Sequence, residues 1–419
     1  MGYGREAGEI AILKRLLNYA QNVFDLPSVL SQITDSRQYP QIPTVVIAKS
    51  ALIMNLAQLG SLNSIEQLNK SSTLREFLGA PLPSADTLGR VFNLINPGTI
   101  RAVNHRIYER LKRNKALRPP LHGLMALAID GHESHATFRR CCSGCLKRKV
   151  GVGDNKRIQY YHRNVTAQLI SGGIRFQLDA EPQLPGEDEV AAAIRLLERV
   201  IVEYPRAFDV VLADALYAKS NFINFVVEHH KDVVIVLKAN CPELLKDATY
   251  CFEGTAPVCE WEQQKRKIEA WDESGFESGP QTGKPLRVVK SYETKAPICR
   301  QLDGKVEVET TSWMWLTTLS PIRASTKAVV ELGHSRWCIE NKGFNELVTY
   351  WHSDHVYMHD SSAILNFWLM SLLAYNIFQS FFQLNLDQAF RRGKTMLHFA
   401  NMIKSQLYAC LPAFGGVPP

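Results

Sequence analysis

Two aspartates interrupt apolar runs that otherwise read as buried strands. Asp130 ends the run in LAIDGHE, and Asp214 stands in LADALYA. Asp is disfavoured in strands, and desolvating its charge is costly without a cation or donor beside it. If both runs lie in one sheet, the two carboxylates approach and repel unless a divalent cation bridges them. Hard oxygen ligands of this kind suit Mg²⁺ or Mn²⁺. An Asp at the end of a strand can equally cap the following turn, so each aspartate alone has a simpler explanation. A third carboxylate, Glu340, lies in LGHSRWCIENKGFNELVTYW, where helical spacing puts Trp337, Glu340, Phe344, Leu347 and Trp351 on one apolar stripe. An i,i+4 ion pair with Arg336 accounts for its charge but not for its apolar neighbours.

The elements that must carry these residues follow from periodicity. Residues 1–120 read as an all-helical domain closed by Pro119-Pro120. Its last helix places Ile100, Val103, Ile107 and Leu111 on one stripe and Arg106, Arg110 and Arg113 on another, a face suited to phosphate contact. Residues 121–240 give three successive strands, then alternating helices and strands, which describes a mixed α/β sheet flanked by helices. Residues 241–326 are rich in Gly, Pro and charge and read as a β-rich insertion. Residues 327–385 return to helix and rejoin the core, leaving 386–419 as a C-terminal helix or tail. The stretch 363–384 is strongly apolar, but Asn366, Ser371, Asn376, Gln379 and Gln383 interrupt it. A buried core helix is expected there and not a membrane span.

Composition agrees with a folded, polyanion-binding protein. The 419 residues are 46% hydrophobic and 21% charged, enough apolar material for a large core. Residues 1–120 hold 15 basic and 8 acidic residues, while the remainder holds 33 of each. All of the net +7 therefore falls on the helical third. Nine cysteines, odd in number and scattered, do not form a disulfide framework and suit a reducing compartment. The leading segment MGYGREAGEI has neither a secretory pattern nor a myristoylation motif.

The series LAIDGHE, YPRAFDVVLADALYAKSNF and SRWCIENKGFNEL resembles the bacterial insertion-sequence transposases of the DDE class, over residues of about 60 to 385. The resemblance implies a ribonuclease-H-like catalytic domain with a β-rich insertion, in which Asp130, Asp214 and Glu340 are catalytic and bind metal. It implies two Mg²⁺ (or Mn²⁺) ions about 4 Å apart, hydrolysis at transposon ends, and strand transfer into target DNA without a covalent protein intermediate. Double-stranded DNA, a homodimer on paired ends and a cytoplasmic, nucleoid-associated location follow from the same likeness. Arg336 matches the Arg of the family's Glu-helix signature. The signature's Tyr falls on Gly333 and its Lys on Leu347, so Lys342 or Lys219 would have to take over that DNA contact. A catalytically inactive DNA-binding descendant and a hydrolysis-only nuclease are the competing expectations.

Three weaker motifs remain. Cys141, Cys142 and Cys145 sit in the basic segment RRCCSGCLKRK, where Cys142 and Cys145 have knuckle spacing but lack a second cysteine pair. Structural zinc is therefore not expected, and Arg139, Arg140, Lys147 and Arg148 are read as DNA contacts. His132, His135 and His162 are the histidines closest in sequence to the pair. Trp313 and Trp315 alternate along an insertion strand, where they either pack its own core or stack on an unpaired base. His352, Asp354, His355 and His359 in WHSDHVYMHD read as support for the site or a helix end.

Overall fold

The computed structural model describes residues 12–120, 122–140, 142–295, 298–299 and 306–409. The MGYGREAGEI segment, Cys141 and residues 410–419 of the expected C-terminal segment lie outside these. The run GLMALAID becomes β1 (Ala126–Thr137), but the strand continues seven residues beyond Asp130. It is followed by β2 (Leu146–Val150), β3 (Arg157–Ile170) and β4 (Arg175–Pro182), all antiparallel in sequence, and then by β5 (Val210–Ala213) and β6 (Asp232–Val236). β3 pairs with β1 on one side and with β2 and β4 on the other. β1 runs parallel to β5 and β5 parallel to β6. The helix Glu189–Glu203, capped by Asp188, crosses from β4 to β5, and the helix Ser220–Glu228 joins β5 to β6. This is the expected ribonuclease-H-like mixed sheet, with the four antiparallel strands β1–β4 leading into the parallel β5 and β6.

The insertion departs from expectation in one respect. After the helix Pro242–Phe252 come β7 (Cys259–Gln263), β8 (Arg266–Phe276), β9 (Leu286–Lys295) and β10 (Thr310–Thr317). β10 pairs antiparallel with β6, Trp315 opposite Val236, and the order continues through β9 and β8 to β7. The insertion thus prolongs the main sheet past β6 and shares its core instead of building a small one of its own. A free edge on β6 would expose unpaired backbone groups, and β10 covers it.

Trp315 shows how that extension packs. It is 1% exposed and lies against the helix Thr326–Ser335, where a Cβ on Gly333 would come within 2.3 Å of its Nε1. Burying a Trp removes roughly 200 Å² from water, worth about 5 kcal/mol. Stacking on one base returns only about 1–3 kcal/mol. The base-stacking reading of Trp315 is therefore corrected: it is a core residue. The absence of a Tyr at position 333 has the same cause, since the indole occupies the space a side chain would need.

The apolar helix Ser361–Ser380 runs through the core, most of it buried, and each polar interruption ties it to a neighbour. Asn366 donates to the carbonyls of Phe92 (2.8 Å) and Ile95 (2.9 Å), and Asn376 to Gln177 O (2.8 Å) and Asn104 Oδ1 (2.8 Å). Ser371 pairs with Ser353, Gln379 donates to the Tyr375 hydroxyl on the same helix and to Met396 Sδ beyond it, and Gln383, in the turn after the helix, accepts from Arg391. These bonds, unavailable in hydrocarbon, are what a helix inside a protein makes. The helix Pro97–Arg113 lies on the same sheet, held by Arg101 to Asp179 (2.7 Å) and by Asn104 to the carbonyls of Gln177 and Leu178 (2.9 Å each). Buried side chains from Ile12 to Leu407 form one continuous core. The boundaries read from sequence therefore mark changes of element type, not breaks in packing.

Replacing Gly333 with Ala should lower the denaturant midpoint, with a loss of about 1–3 kcal/mol from overpacking against Trp315. The double variant Gly333→Ala/Trp315→Leu should not show the sum of the two single losses. Full additivity would mean that the two residues do not contend for the same space.

Candidate active site

Register brings the two aspartates together. Ala126, Leu127 and Ala128 of β1 pair in parallel with Val210, Val211 and Leu212 of β5. Asp130 and Asp214 each lie two residues beyond the last pair, close enough for Asp214 to act electrostatically on Asp130. Past Ala128 the two strands part: β1 continues along β3, with Asp130 opposite Thr166, while β5 ends and Asp214 caps the turn Ala215–Tyr217. The Leu216 N–H donates to Asp214 Oδ1 at 2.9 Å. The capping explanation is thus correct for Asp214, and it also fixes one carboxylate oxygen and leaves the charge in place.

Glu340 arrives by a different route. After Ser335 the chain does not continue as regular α-helix; residues Ile339–Phe344 form a π-turn, with one extra residue in the turn. That insertion shifts the phase, so Phe344, Leu347 and Trp351 are buried while Trp337 and Glu340 face outwards. The single apolar stripe expected from 3.6-residue spacing is corrected accordingly. π-turns recur at functional sites because they turn a side chain off the packed face. Here the turn directs Glu340 at β1. Arg336, itself buried, reaches Glu340 Oε1 at 2.7 Å and Asp130 Oδ2 at 3.3 Å through the same Nη1.

The electrostatics are those of crowded acids. Burial, chiefly, and the neighbouring Glu340 and Asp214 push Asp130 up to about 8, against the opposing pull of Arg336. Glu340 goes the other way: Arg336 and a hydrogen bond from Asp130 outweigh its own desolvation, and Lys238, just past β6, adds to the effect. The proton shared by the pair therefore resides on Asp130. Such a site releases that proton when a divalent cation takes its place, and three carboxylates form an all-oxygen donor set that matches Mg²⁺ or Mn²⁺.

Two further residues were not anticipated. Glu189, at the start of its helix, is buried against the site and accepts from the Tyr217 hydroxyl (2.7 Å) and from Arg163 (2.8 Å). Its carboxyl group fills the space where a Cβ of Gly131 would sit, 2.6 Å away, so the glycine after Asp130 is required for the close approach. Lys238 is the other. Both were hidden in ordinary patterns: Glu189 as a helix-dipole acid, Lys238 as the polar end of an apolar run.

The remaining expected residues divide. Arg106, Arg110 and Arg113 are exposed and line one groove with Asp25, Glu109 and Glu203. Lys219 pairs with Asp188 at 2.7 Å beside the Asp214 turn. Lys342 is exposed on the π-turn, and its carbonyl accepts from Tyr375. Leu347 is fully buried, so no DNA contact could come from that position. Arg139, Arg140, Lys147 and Arg148 are exposed around the β1–β2 connection. Arg148, however, already forks onto Glu133 at 2.7 and 2.6 Å, and Arg140 donates to the carbonyls of Cys142 and Ser143 (3.2 Å each). A phosphate contact by Arg148 would compete with that pairing. Trp313 is half-buried, edge-on to the exposed Trp337 at 5.1 Å. Glu346, a second acid just past the π-turn, is bound to Arg175 (3.1 Å) and Tyr375 (2.7 Å).

A ribonuclease-H-like sheet that gathers two aspartates and a helix-borne glutamate at one end defines a class of nucleic-acid-processing protein. A family model described as "Transposase DDE domain" matches residues 127–377, and the chain belongs to that family. No curated protein sequence matches the chain. Among solved structures, the cryo-EM structure of piggyBac transposase in a synaptic complex with hairpin DNA aligns at a TM-score of 0.45 and 11% identity. That alignment covers 94% of this chain and 80% of the other.

If Asp130 is a cation ligand, the cation has to displace its proton, and apparent Mn²⁺ affinity of the free protein should rise about tenfold per pH unit below pH 8 and level off above it. The sign follows from the raised value: below it the site is protonated and competes, above it the ligand is already charged. Calorimetric titration from pH 6 to 9 reads this directly, and a flat profile would contradict it.

Proposed function

We propose that this chain is a DNA transposase that cuts phosphodiester bonds at transposon ends and joins them to target DNA. The observation that carries the reading is the placement of Asp130 and Asp214 just beyond the parallel pairing of neighbouring strands, with Glu340 turned onto them and linked through Arg336. Asp130, Asp214 and Glu340 would hold two divalent ions, whose chemistry is to activate water or a 3′-hydroxyl and to stabilise the departing oxygen. The chain's own part is positioning. Arg336 keeps Asp130 and Glu340 at a fixed separation, the Leu216 N–H orients Asp214, and the Glu189–Tyr217 pair holds the turn after β5 against β1. Phosphates would be met by Lys238, Lys342 and Lys219 near the acids, and by Arg106, Arg110 and Arg113 on the N-terminal helices. Arg139 and Lys147 on the β1–β2 connection would add to these. Trp313 with Trp337 offers an aromatic surface beside the Glu340 turn. The functional unit would be a homodimer on paired double-stranded ends.

With Mg²⁺ and end-bearing DNA, the purified chain should nick and join. Asp130→Asn, Asp214→Asn and Glu340→Gln should each lose more than about 10²-fold, the scale of removing one electrostatic stabiliser of the transition state. Retention of wild-type rates by all three would sink the assignment. Nicking without joining would leave a nuclease, and binding without either would leave a DNA-binding protein.

Charge removal at Arg106, Arg110 and Arg113 should weaken binding to any sequence alike and lower the salt dependence by about one unit per lost phosphate contact. Fluorescence anisotropy across a salt series measures it. An unchanged slope would place the DNA elsewhere.

A further inference from the structure

We propose a structural zinc site, separate from the carboxylates, formed by Cys142, Cys145 and His162 and completed by the His135–His359 pair. The cysteines were too few for zinc when read along the chain. The fold supplies what was missing. β2 pairs with β3 so that Leu146 faces Tyr161, and this register sets Cys145 beside His162. Cys142 is carried back over the same point by a tight turn in which the Cys145 N–H bonds to Cys142 O. The two sulfurs lie 3.8 Å apart, and His162 Nε2 lies 3.3 and 3.5 Å from them.

Those separations are the edges of a tetrahedron around zinc. With Zn–S of about 2.3 Å and Zn–N of about 2.0–2.1 Å, tetrahedral angles require an S···S distance of about 3.8 Å and S···N distances of about 3.5–3.6 Å. A disulfide would instead need sulfurs about 2.0 Å apart, and both thiols are free. The imidazole rings of His135 and His359 lie 4.4 Å apart, and the charge of each acts on His162. They are the candidates for the fourth corner, beside the three ligand atoms already gathered. Binding deprotonates both thiols and releases two protons, leaving two thiolates and two neutral imidazoles around the ion.

Cys142 and Cys145 come from the β1–β2 connection and His162 from β3, while His135 stands near the end of β1 and His359 on the segment between the Glu340 turn and the helix Ser361–Ser380. Gly144, between the cysteines, sits so close to that helix that a Cβ would approach Ser361 Cβ to 2.8 Å. With four protein ligands there is no open position, so the ion is a clamp and not a catalyst. With His359 as the fourth ligand, the ion also fastens the chain that follows Glu340 to β3 and the β1–β2 connection.

Elemental analysis of the purified full chain, after dialysis into Mg²⁺ buffer, should find one zinc per chain. Replacing zinc by Co²⁺ should give thiolate charge-transfer bands with a tetrahedral visible spectrum. Neither measurement needs a variant, so a substituted chain that fails to fold does not blunt the test. Cys142→Ser and Cys145→Ser should lose the metal, whereas Cys251→Ser, an exposed thiol of the insertion, should keep it. The double variant Asp214→Asn/Glu340→Gln should also keep it, which separates this site from the carboxylates. His359→Ala and His135→Ala identify the fourth ligand by which one weakens the cobalt spectrum. Zinc well below one equivalent, or a cobalt spectrum without thiolate bands, overturns the proposal whatever becomes of the transposase reading.

Discussion

One guanidinium nitrogen of Arg336 touches both Glu340 (2.7 Å) and Asp130 (3.3 Å), and the arrangement around it depends on that contact. Two like charges about 5 Å apart repel by about 3 kcal/mol at the effective dielectric of a partly buried site. Against a net stability of about 5–15 kcal/mol for a folded domain, three such acids in one corner are a large local debt. The protein offsets it in two ways. Arg336 supplies a buried counter-charge to one pair, and Asp130 keeps its proton to near pH 8. What remains is a site that is tolerable without a cation and better with one, which is the condition for a ligand to bind and not merely to be accommodated.

The parts of this arrangement that were legible in the sequence are those fixed by local chemistry. An Asp within an apolar run is conspicuous because burial makes it costly, and both aspartates were found that way. Likewise the core helix Ser361–Ser380 was separable from a membrane span by its asparagines and glutamines. What could not be read were features set by pairing across distance. The parallel register that brings Asp130 near Asp214 is a property of two strands, not of either. The π-turn at Ile339–Phe344 breaks the 3.6-residue period by one residue, so spacing placed Glu340 on the apolar stripe although the structure leaves it exposed. Trp315 was ambiguous between core and base because its partner is a glycine eighteen positions later. The cysteine pair read as incomplete because His162 and the His135–His359 pair reach it only through the fold.

Glu189 illustrates a different kind of silence. It occupies the first turn of a helix, where an acid is favoured by the backbone dipole whatever else it does. Only the structure reveals that the same carboxylate takes the Tyr217 hydroxyl and Arg163 and rests on Gly131. The consequence is a second layer beneath the acids. Tyr217 ends the turn that Asp214 caps, and Gly131 follows Asp130, so Glu189 grips both aspartate-bearing segments from one side while Arg336 holds Asp130 and Glu340 from the other. A larger residue at position 131 would push the helix Glu189–Glu203 off the sheet and loosen the turn with it.

The insertion completes this logic. Had it folded as a separate module, its influence on the acids would have depended on a flexible join. Instead β10 hydrogen-bonds to β6 and presses Trp315 onto Gly333, three residues before Arg336. The start of the Glu340 segment is therefore braced by a strand of the extended sheet, and its other end leads into the helix that runs through the core. Each carboxylate thus has its own restraint: Asp130 by strand pairing with β3, Asp214 by a capped turn, Glu340 by a helix wedged between sheet and core. Because the three restraints share the β1–β5–β6–β10 order of a single sheet, a displacement of any one strand moves its acid relative to the other two. That shared frame explains why a site with so much mutual repulsion keeps a defined geometry.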